Sequence, residues 1–305
     1  MGERVLVTGG LGFIGSRLCA ALLDRGAELR IVDDLSGSYS EGTGAAAAAV
    51  LGARGAEVRI ARAEPAHLTG RDAVIHLAGL PGVRTQRPAS VLHDANVLLT
   101  ERLVRAASAA GARFVLVSSS SVYGDASLLP TPEHAPPAPL NPYAASKVAA
   151  EEVVREHGND AVIVRPFSVY GPGQRPEMAF ARWIDCLGIR RPLPWYASPG
   201  TARDFTYVDD VVAGILAALS GGRAGEAYNV SGWRSVDLRA ALELLEAAFG
   251  CRASLGTQPT VAAEARATQG CGRKAAKELG YRPRTDLATG LCQQIAAADR
   301  GRLAA

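Results

Sequence analysis

Eight residues near the start of the chain, Thr8-Gly9-Gly10-Leu11-Gly12-Phe13-Ile14-Gly15, constrain the fold more than any other segment. They lie between a β-branched apolar run, Arg4 to Thr8, and a helix-forming stretch, Gly15 to Arg25. Glycines so placed let the chain turn tightly, admit a pyrophosphate to the backbone and bring helix close to strand. The helix N-terminus adds free amides and the positive end of its dipole. A second run, Glu28 to Asp33, ends Ile31-Val32-Asp33-Asp34. Its carboxylates fall about twenty residues past the turn, where an acidic residue accepts hydrogen bonds from adenosine ribose hydroxyls. A carboxylate there repels a 2′-phosphate, and no arginine follows closely. The expected cofactor is therefore NAD rather than NADP, held by Gly9, Gly12, Phe13, Ile14, Gly15, Asp33 and Asp34.

The alternation continues beyond the turn. Short runs at Val58 to Ala61, Ala73 to Leu77, Phe114 to Ser118 and Ala161 to Arg165 alternate with longer helix formers at Ala89 to Ala110 and Tyr143 to His157. This pattern predicts βαβ units in an α/β fold, a Rossmann-like doubly wound parallel sheet. After Pro166 the chain breaks into pieces punctuated by Gly and Pro, with helical segments near Ala179 to Leu187, Val208 to Leu219, Ser235 to Phe249 and Arg273 to Leu279. The expected organisation is an NAD-binding domain over 1–166 and a smaller, mainly substrate-binding C-terminal lobe over 167–305, with 206–220 packing back on the first.

Composition narrows the partners. No run approaches the eighteen or so apolar residues of a membrane span, and the N-terminus lacks a signal-peptide pattern, so a cytoplasmic protein is expected. The five cysteines are scattered with no CxxC pair, which points away from a disulfide framework or a zinc site. His67, His93, His134 and His157 show no ligand spacing and His76 reads as a structural strand-end residue, so no metal is expected. A net charge of +3, without interleaved aromatic and basic residues, gives no nucleic-acid signature; a small anion is the expected partner.

Tyr143 and Lys147 are four apart and so share one helical face. There the ammonium can lower the phenol pKa and reach the cofactor ribose. The phenolate can take a hydroxyl proton while hydride leaves for the nicotinamide. Spacing alone fits a surface Tyr/Lys pair on an amphipathic helix as well, so the surrounding motifs decide. The GxxGxxG turn with Tyr143-Ala144-Ala145-Ser146-Lys147 resembles the extended short-chain dehydrogenase/reductases. The likeness extends through His76-Leu77-Ala78-Gly79, Asn96, Ser118 to Gly124, Arg165-Pro166, Val169-Tyr170-Gly171-Pro172 and Arg203 to Asp210. It implies an enzyme acting on a UDP-linked hexose or hexuronate, most similar to the sugar 4-epimerases and their dehydratase and decarboxylase relatives. It also implies cofactor contacts from Leu77, Ala78, Gly79, Asn96, Ser118, Tyr143, Lys147 and Pro166, and a homodimer built on the helices beginning at Ala89 and Tyr143. By the same resemblance Ser119 is the hydroxyl that shares the substrate proton with Tyr143, completing a catalytic set of Ser119, Tyr143 and Lys147.

On the substrate side, Arg203 and Arg266 are the candidates for the diphosphate, because guanidinium groups bind phosphate oxygens bidentately. Ser168 stands where the family usually has Asn, and Ser120 and Ser121 stand where the 4,6-dehydratases carry an Asp-Glu pair. Without those carboxylates the elimination lacks its general acid and base. UDP-glucuronate decarboxylases usually keep a glutamate at Ser121, yet a 4-keto-uronate is a β-keto acid that loses carbon dioxide without an enzymic base. Between Tyr170 and Arg203 a short segment carries five arginines against Glu177 and Asp185, which suits a substrate carboxylate as well as a diphosphate. That segment, broken by Gly and Pro, looks too short to retain a keto-sugar while it turns over. The expectation is therefore a decarboxylase giving UDP-4-keto-pentose or UDP-xylose. The alternative is a UDP-hexose 4-epimerase of the UDP-glucose/UDP-galactose type, and a non-catalytic nucleotide-binding protein is a further reading.

Overall fold

A computed structural model describes residues 2–37, 42–82, 87–258 and 264–303. Six strands from the first 166 residues, β1 (Arg4–Thr8), β2 (Glu28–Asp33), β3 (Glu57–Ile60), β4 (Ala73–His76), β5 (Arg113–Val117) and β6 (Ala161–Pro166), join a last strand, Ala227–Val230, in one sheet. Its order is last strand-β6-β5-β4-β1-β2-β3, and every pairing is parallel. The order reverses between β1 and β4, which opens a crevice beyond the carboxyl ends of those strands.

The helices are α1 (Phe13–Asp24), α2 (Thr43–Ala53), α3 (Ala89–His93), α4 (Leu99–Ala110), α5 (Pro142–His157), α6 (Ala179–Gly188), α7 (Val208–Gly221), α8 (Leu238–Phe249), α9 (Arg273–Leu279) and α10 (Leu287–Leu303). Their placement follows from strands that are apolar on both faces, which a parallel sheet buries on both sides. In β1, Val5 and Val7 face one layer with Leu18 and Leu22 of α1 and Ile215 of α7. Leu6, between them, faces the other with Leu103 of α4 and Val154 of α5. α7 thus returns to the sheet although it follows most of the smaller lobe's first elements, packing on α1, β5 and β6.

The lobe has its own core, in which Tyr170, Phe180, Trp183 and Tyr207 meet Leu242 and Leu245 of α8. Ring centroids of Tyr170 and Phe180, and of Phe180 and Trp183, are 5.5 Å apart. The segment expected as one helix from Ser235 to Phe249 is divided. Ser235–Asp237 pairs antiparallel with Ala202–Asp204, and α8 begins only after the Asp237 side chain accepts the Arg239 amide at 2.7 Å. That cap explains the boundary, since an Asp in extended backbone satisfies amides a helix leaves free. Among the described residues, no helix is long and apolar enough to cross a membrane and no cluster of three His, Cys, Asp or Glu could hold a metal.

Candidate active site

The glycine turn is as tight as its composition suggests. Gly9 has φ +71°, and a Cβ there would lie 2.6 Å from the Ala78 nitrogen in the loop after β4. A Cβ on Gly15 would lie 2.2 Å from the Gly9 carbonyl oxygen, so helix and strand approach more closely than any side chain permits. Gly12 caps α1 without a side chain. The first bond of that helix runs from the Ser16 amide to the Gly12 carbonyl at 2.8 Å, so the amides of Phe13, Ile14 and Gly15 have no partner within the helix. At the end of β2, Asp33 accepts the Leu11 amide at 2.9 Å through one carboxylate oxygen and the Leu35 amide at 2.9 Å through the other. Burial nevertheless leaves its pKa above the usual aspartate value. Each carboxylate oxygen retains a second lone pair for a ribose hydroxyl. Asp34 is occupied locally, accepting the Ser36 amide at 2.9 Å.

These residues line a single cavity of about 1560 Å³ that also reaches Leu77, Ala78, Gly79, Ser118, Ser119, Ser120, Ser121, Tyr143, Pro166, Ser168, Arg203 and Arg266. That volume exceeds the roughly 300–1,000 Å³ of an ordinary small-molecule pocket. Two of the predicted cofactor contacts lie outside its wall. Asn96 sits in a π-helical turn, Asp94–Leu98, between α3 and α4. Its amide is committed elsewhere: Oδ1 accepts the Leu80 amide at 2.7 Å, while Nδ2 donates to the Leu80 carbonyl and to Ser146 Oγ. It therefore holds the loop after β4 against α5. Lys147 is buried, and its ammonium donates to the Val117 carbonyl at the end of β5 at 2.9 Å.

Tyr143 reaches the cavity because α5 starts one residue earlier. Asn141 caps the helix, its Oδ1 accepting the Ala144 amide at 2.9 Å, and Pro142 occupies the first helical position. The phenol lies beside the Ser119 hydroxyl, which helps to stabilise its deprotonated form. Ser119 Oγ also accepts the Ser121 amide at 3.1 Å, which fixes the turn after β5. Burial raises the Tyr143 pKa, and Ser119 and the charge of Arg175 draw it back down. The tuning expected from Lys147 thus comes in this structure from two other groups. Burial holds Lys147 itself down at about 8, against the opposing charge of Glu151.

Arg175 is the site residue that sequence reading left undistinguished among the five arginines of the segment between Tyr170 and Arg203. It lines the cavity, is largely buried, and pairs with Glu177 at 3.1 Å. Its signal was its position, three residues after the Val169-Tyr170-Gly171-Pro172 motif. Arg203 pairs with Glu264 at 3.3 Å, and its carbonyl contacts include Ala202 and Arg266. The Arg266 amide donates to Asp125 at 2.8 Å. Ser120 and Ser121 face the cavity with no carboxylate between them, and Ser121 Oγ is buried without a hydrogen-bond partner. His76 is structural, bonded to Thr8 at 2.6 Å and to Thr100 at 3.0 Å.

A dinucleotide cradle that opens onto a serine-tyrosine pair with a buried lysine defines an oxidoreductase-type site of the short-chain dehydrogenase class. Residues 5–231 match the model of the NAD dependent epimerase/dehydratase family. The chain belongs to that family, whose cofactor, NAD, is the one the glycine turn and Asp33 are built to hold. It is 34% identical to an uncharacterized UDP-glucose epimerase of Bacillus subtilis, over 96% of this chain and 97% of that protein. It is also 34% identical to a dTDP-glucose 4,6-dehydratase of Streptomyces antibioticus, over 96% and 91%. Among solved structures, the UDP-glucuronic acid 4-epimerase of Bacillus cereus in complex with UDP-glucuronic acid and NAD superposes with a TM-score of 0.92 at 32% identity, covering 98% of this chain and 99% of that one.

Proposed function

We propose that the protein is a UDP-glucuronate 4-epimerase, interconverting UDP-glucuronate and UDP-galacturonate. The observation that carries this reading is Arg175, a largely buried guanidinium in the cavity whose charge is felt by the Tyr143 phenol. A cation so close to the proton-transfer group matches a sugar that bears a carboxylate. The nearby side chains Ser119, Ser120 and Ser121 are neutral hydroxyls, which hydrogen-bond a carboxylate without repelling it. The likeness to the Bacillus cereus epimerase supports the same choice.

The residues account for the chemistry. Bound NAD supplies a reversible hydride acceptor at sugar C4. Tyr143 takes the O4 proton, Ser119 shares it while the charge of Arg175 draws the phenol's pKa down, and the Lys147 ammonium anchors α5 to the end of β5. Arg203 and Arg266 hold the diphosphate. Epimerisation, weighed in sequence for a neutral UDP-hexose and assigned here to a UDP-hexuronate, replaces decarboxylation as the main reading, for two physical reasons. An arginine on the substrate carboxylate stabilises its charge in the ground state, whereas loss of carbon dioxide needs that charge to move to the C4 carbonyl. The segment judged too short to retain a keto-sugar is also firmly anchored, with Phe180 and Trp183 of α6 buried in the lobe core and Gln174 bonded to Val169, Ala181 and Gln294.

Incubating the NAD-loaded protein with UDP-glucuronate and following products by NMR tests the proposal. UDP-galacturonate should accumulate to equilibrium without carbon dioxide. Formation of a UDP-pentose would overturn it.

A further inference from the structure

Beneath the catalytic helix lies a charged network that the chemistry above does not use. Glu151 follows Lys147 by four residues on α5, so the two share a helical face, and Glu151 is fully buried. Ser118, the residue after β5, donates to its Oε1 at 2.6 Å. Arg165 of β6, 2% exposed, clasps the same carboxylate through Nε at 2.9 Å and Nη2 at 2.5 Å. The other guanidinium nitrogen of Arg165 donates to the Tyr123 hydroxyl at 2.6 Å, and that hydroxyl donates to Asn229 of the last strand at 2.7 Å. The chain of bonds thus crosses α5, β5, β6 and the last strand under the floor of the active site. A buried ion pair contributes little to net stability, since desolvation offsets its attraction. Retaining one directly behind the catalytic lysine needs another reason.

We propose that Glu151 is a positioning residue for Lys147, locking α5 to the end of β5 through Ser118 and placing a carboxylate on the lysine's own helical face. Lys147 hydrogen-bonds the carbonyl of Val117, and Glu151 the hydroxyl of the adjacent Ser118. Both contacts set the height of α5 over the same strand end. The charged or titratable groups around this pair are Arg155 on α5, which bonds Glu151 at 2.9 Å, Arg165 on β6, Tyr123 after β5, Glu133 close to Arg165, and His76 on β4, which burial keeps neutral. Glu151 is the group that holds the lysine's proton on against the effect of burial. Composition fits this role: the sequence contains only three lysines, Lys147, Lys274 and Lys277, so a proton-exchanging cation has been kept at 147 in a chain that otherwise uses arginine.

The scarcity of lysine makes the test direct. With lysine labelled at ¹³Cε, the NAD-bound protein gives three resonances, and Lys147 is assigned by its loss in Lys147→Met. The titration midpoint of Lys147 should fall in Glu151→Gln and in Glu151→Gln/Arg165→Met, the second removing both charges so that no unpaired ion is buried. Arg165→Lys, which keeps the Glu151 charge, should lower thermal stability and leave the midpoint in place. An unchanged midpoint in either Glu151 variant would show that the pair serves folding alone, and so would a midpoint that moves equally in Arg165→Lys. Because the readout is a protonation, it holds whichever sugar the enzyme takes.

Discussion

Ser119 lies beside the Tyr143 phenol, across the end of β5 and the first turn of α5, and draws its pKa down, while the Ser119 oxygen is fixed by the Ser121 amide at 3.1 Å. The serine therefore cannot drift from the phenol without breaking the turn that carries Ser120 and Ser121. Tyr143→Phe removes the proton acceptor and little packing volume. Its kcat should fall by roughly 10²–10⁴, the span of a general base, with the melting temperature nearly unchanged; steady-state kinetics beside calorimetry checks both.

Arg175 carries the substrate reading. Replacing it by Met keeps the stem and removes the charge. The kcat/KM for UDP-glucuronate should drop by roughly 10- to 150-fold, the equivalent of about 1.5–3 kcal/mol for a hydrogen bond to a charged group, while turnover of UDP-glucose changes much less. Equal losses on both sugars would remove the basis for assigning a carboxylate.

The buried lysine gives stability a pH dependence of known sign. Burial lowers Lys147 from 10.5 to about 8, so between those values the unfolded chain holds a proton that the folded chain has released. Stability then rises with pH across that interval. The stability of wild type minus that of Lys147→Met should rise as pH increases from 8 to 10, in thermal melts measured pairwise; a difference that falls would contradict the burial of an ionisable amine at this position.

His76 acts at the acid end. Burial depresses it from 6.5 to about 3, so it stays neutral in the fold while the unfolded chain takes up a proton. Its contribution is present above 6.5 and is lost as pH falls, by about 1.4 kcal/mol per pH unit in that window. His76→Gln, which retains hydrogen-bonding capacity toward Thr8 and Thr100, should flatten the acid branch of the stability curve measured by denaturant titration.

Gly9→Ala places a methyl 2.6 Å from the Ala78 nitrogen at a φ of +71°. Both the clash and the backbone conformation oppose it. NAD affinity should fall by more than tenfold, read by calorimetric titration, together with a lower melting temperature.

Much of this was legible in the chain. The boundaries of β1, β2 and α9 coincide with the expected ones because β-branched runs and helix formers there end at glycine or charge. The cavity wall contains the glycine turn, Asp33, the serine run, Tyr143, Ser168, Arg203 and Arg266. Contacts that depend on distant parts of the chain were not legible. Asn96 carries a motif position but is spent on Leu80 and Ser146, sixteen and fifty residues away. Glu151 reads as an ordinary helix residue until Arg165 and Ser118 close on it. The choice between decarboxylase and epimerase was not legible for the same reason: the length of the segment between Tyr170 and Arg203 is visible in sequence, but its anchorage through Phe180 and Trp183 appears only when the lobe is assembled.

The most direct test of the central claim follows a label through one catalytic cycle. With UDP-glucuronate deuterated at C4 and no added cofactor beyond that bound, a site that removes hydride, retains the sugar and returns hydride to its other face must give UDP-galacturonate with deuterium still at C4 and with its carboxylate intact. Loss of the label to solvent or to free cofactor, or release of carbon dioxide, would contradict the account.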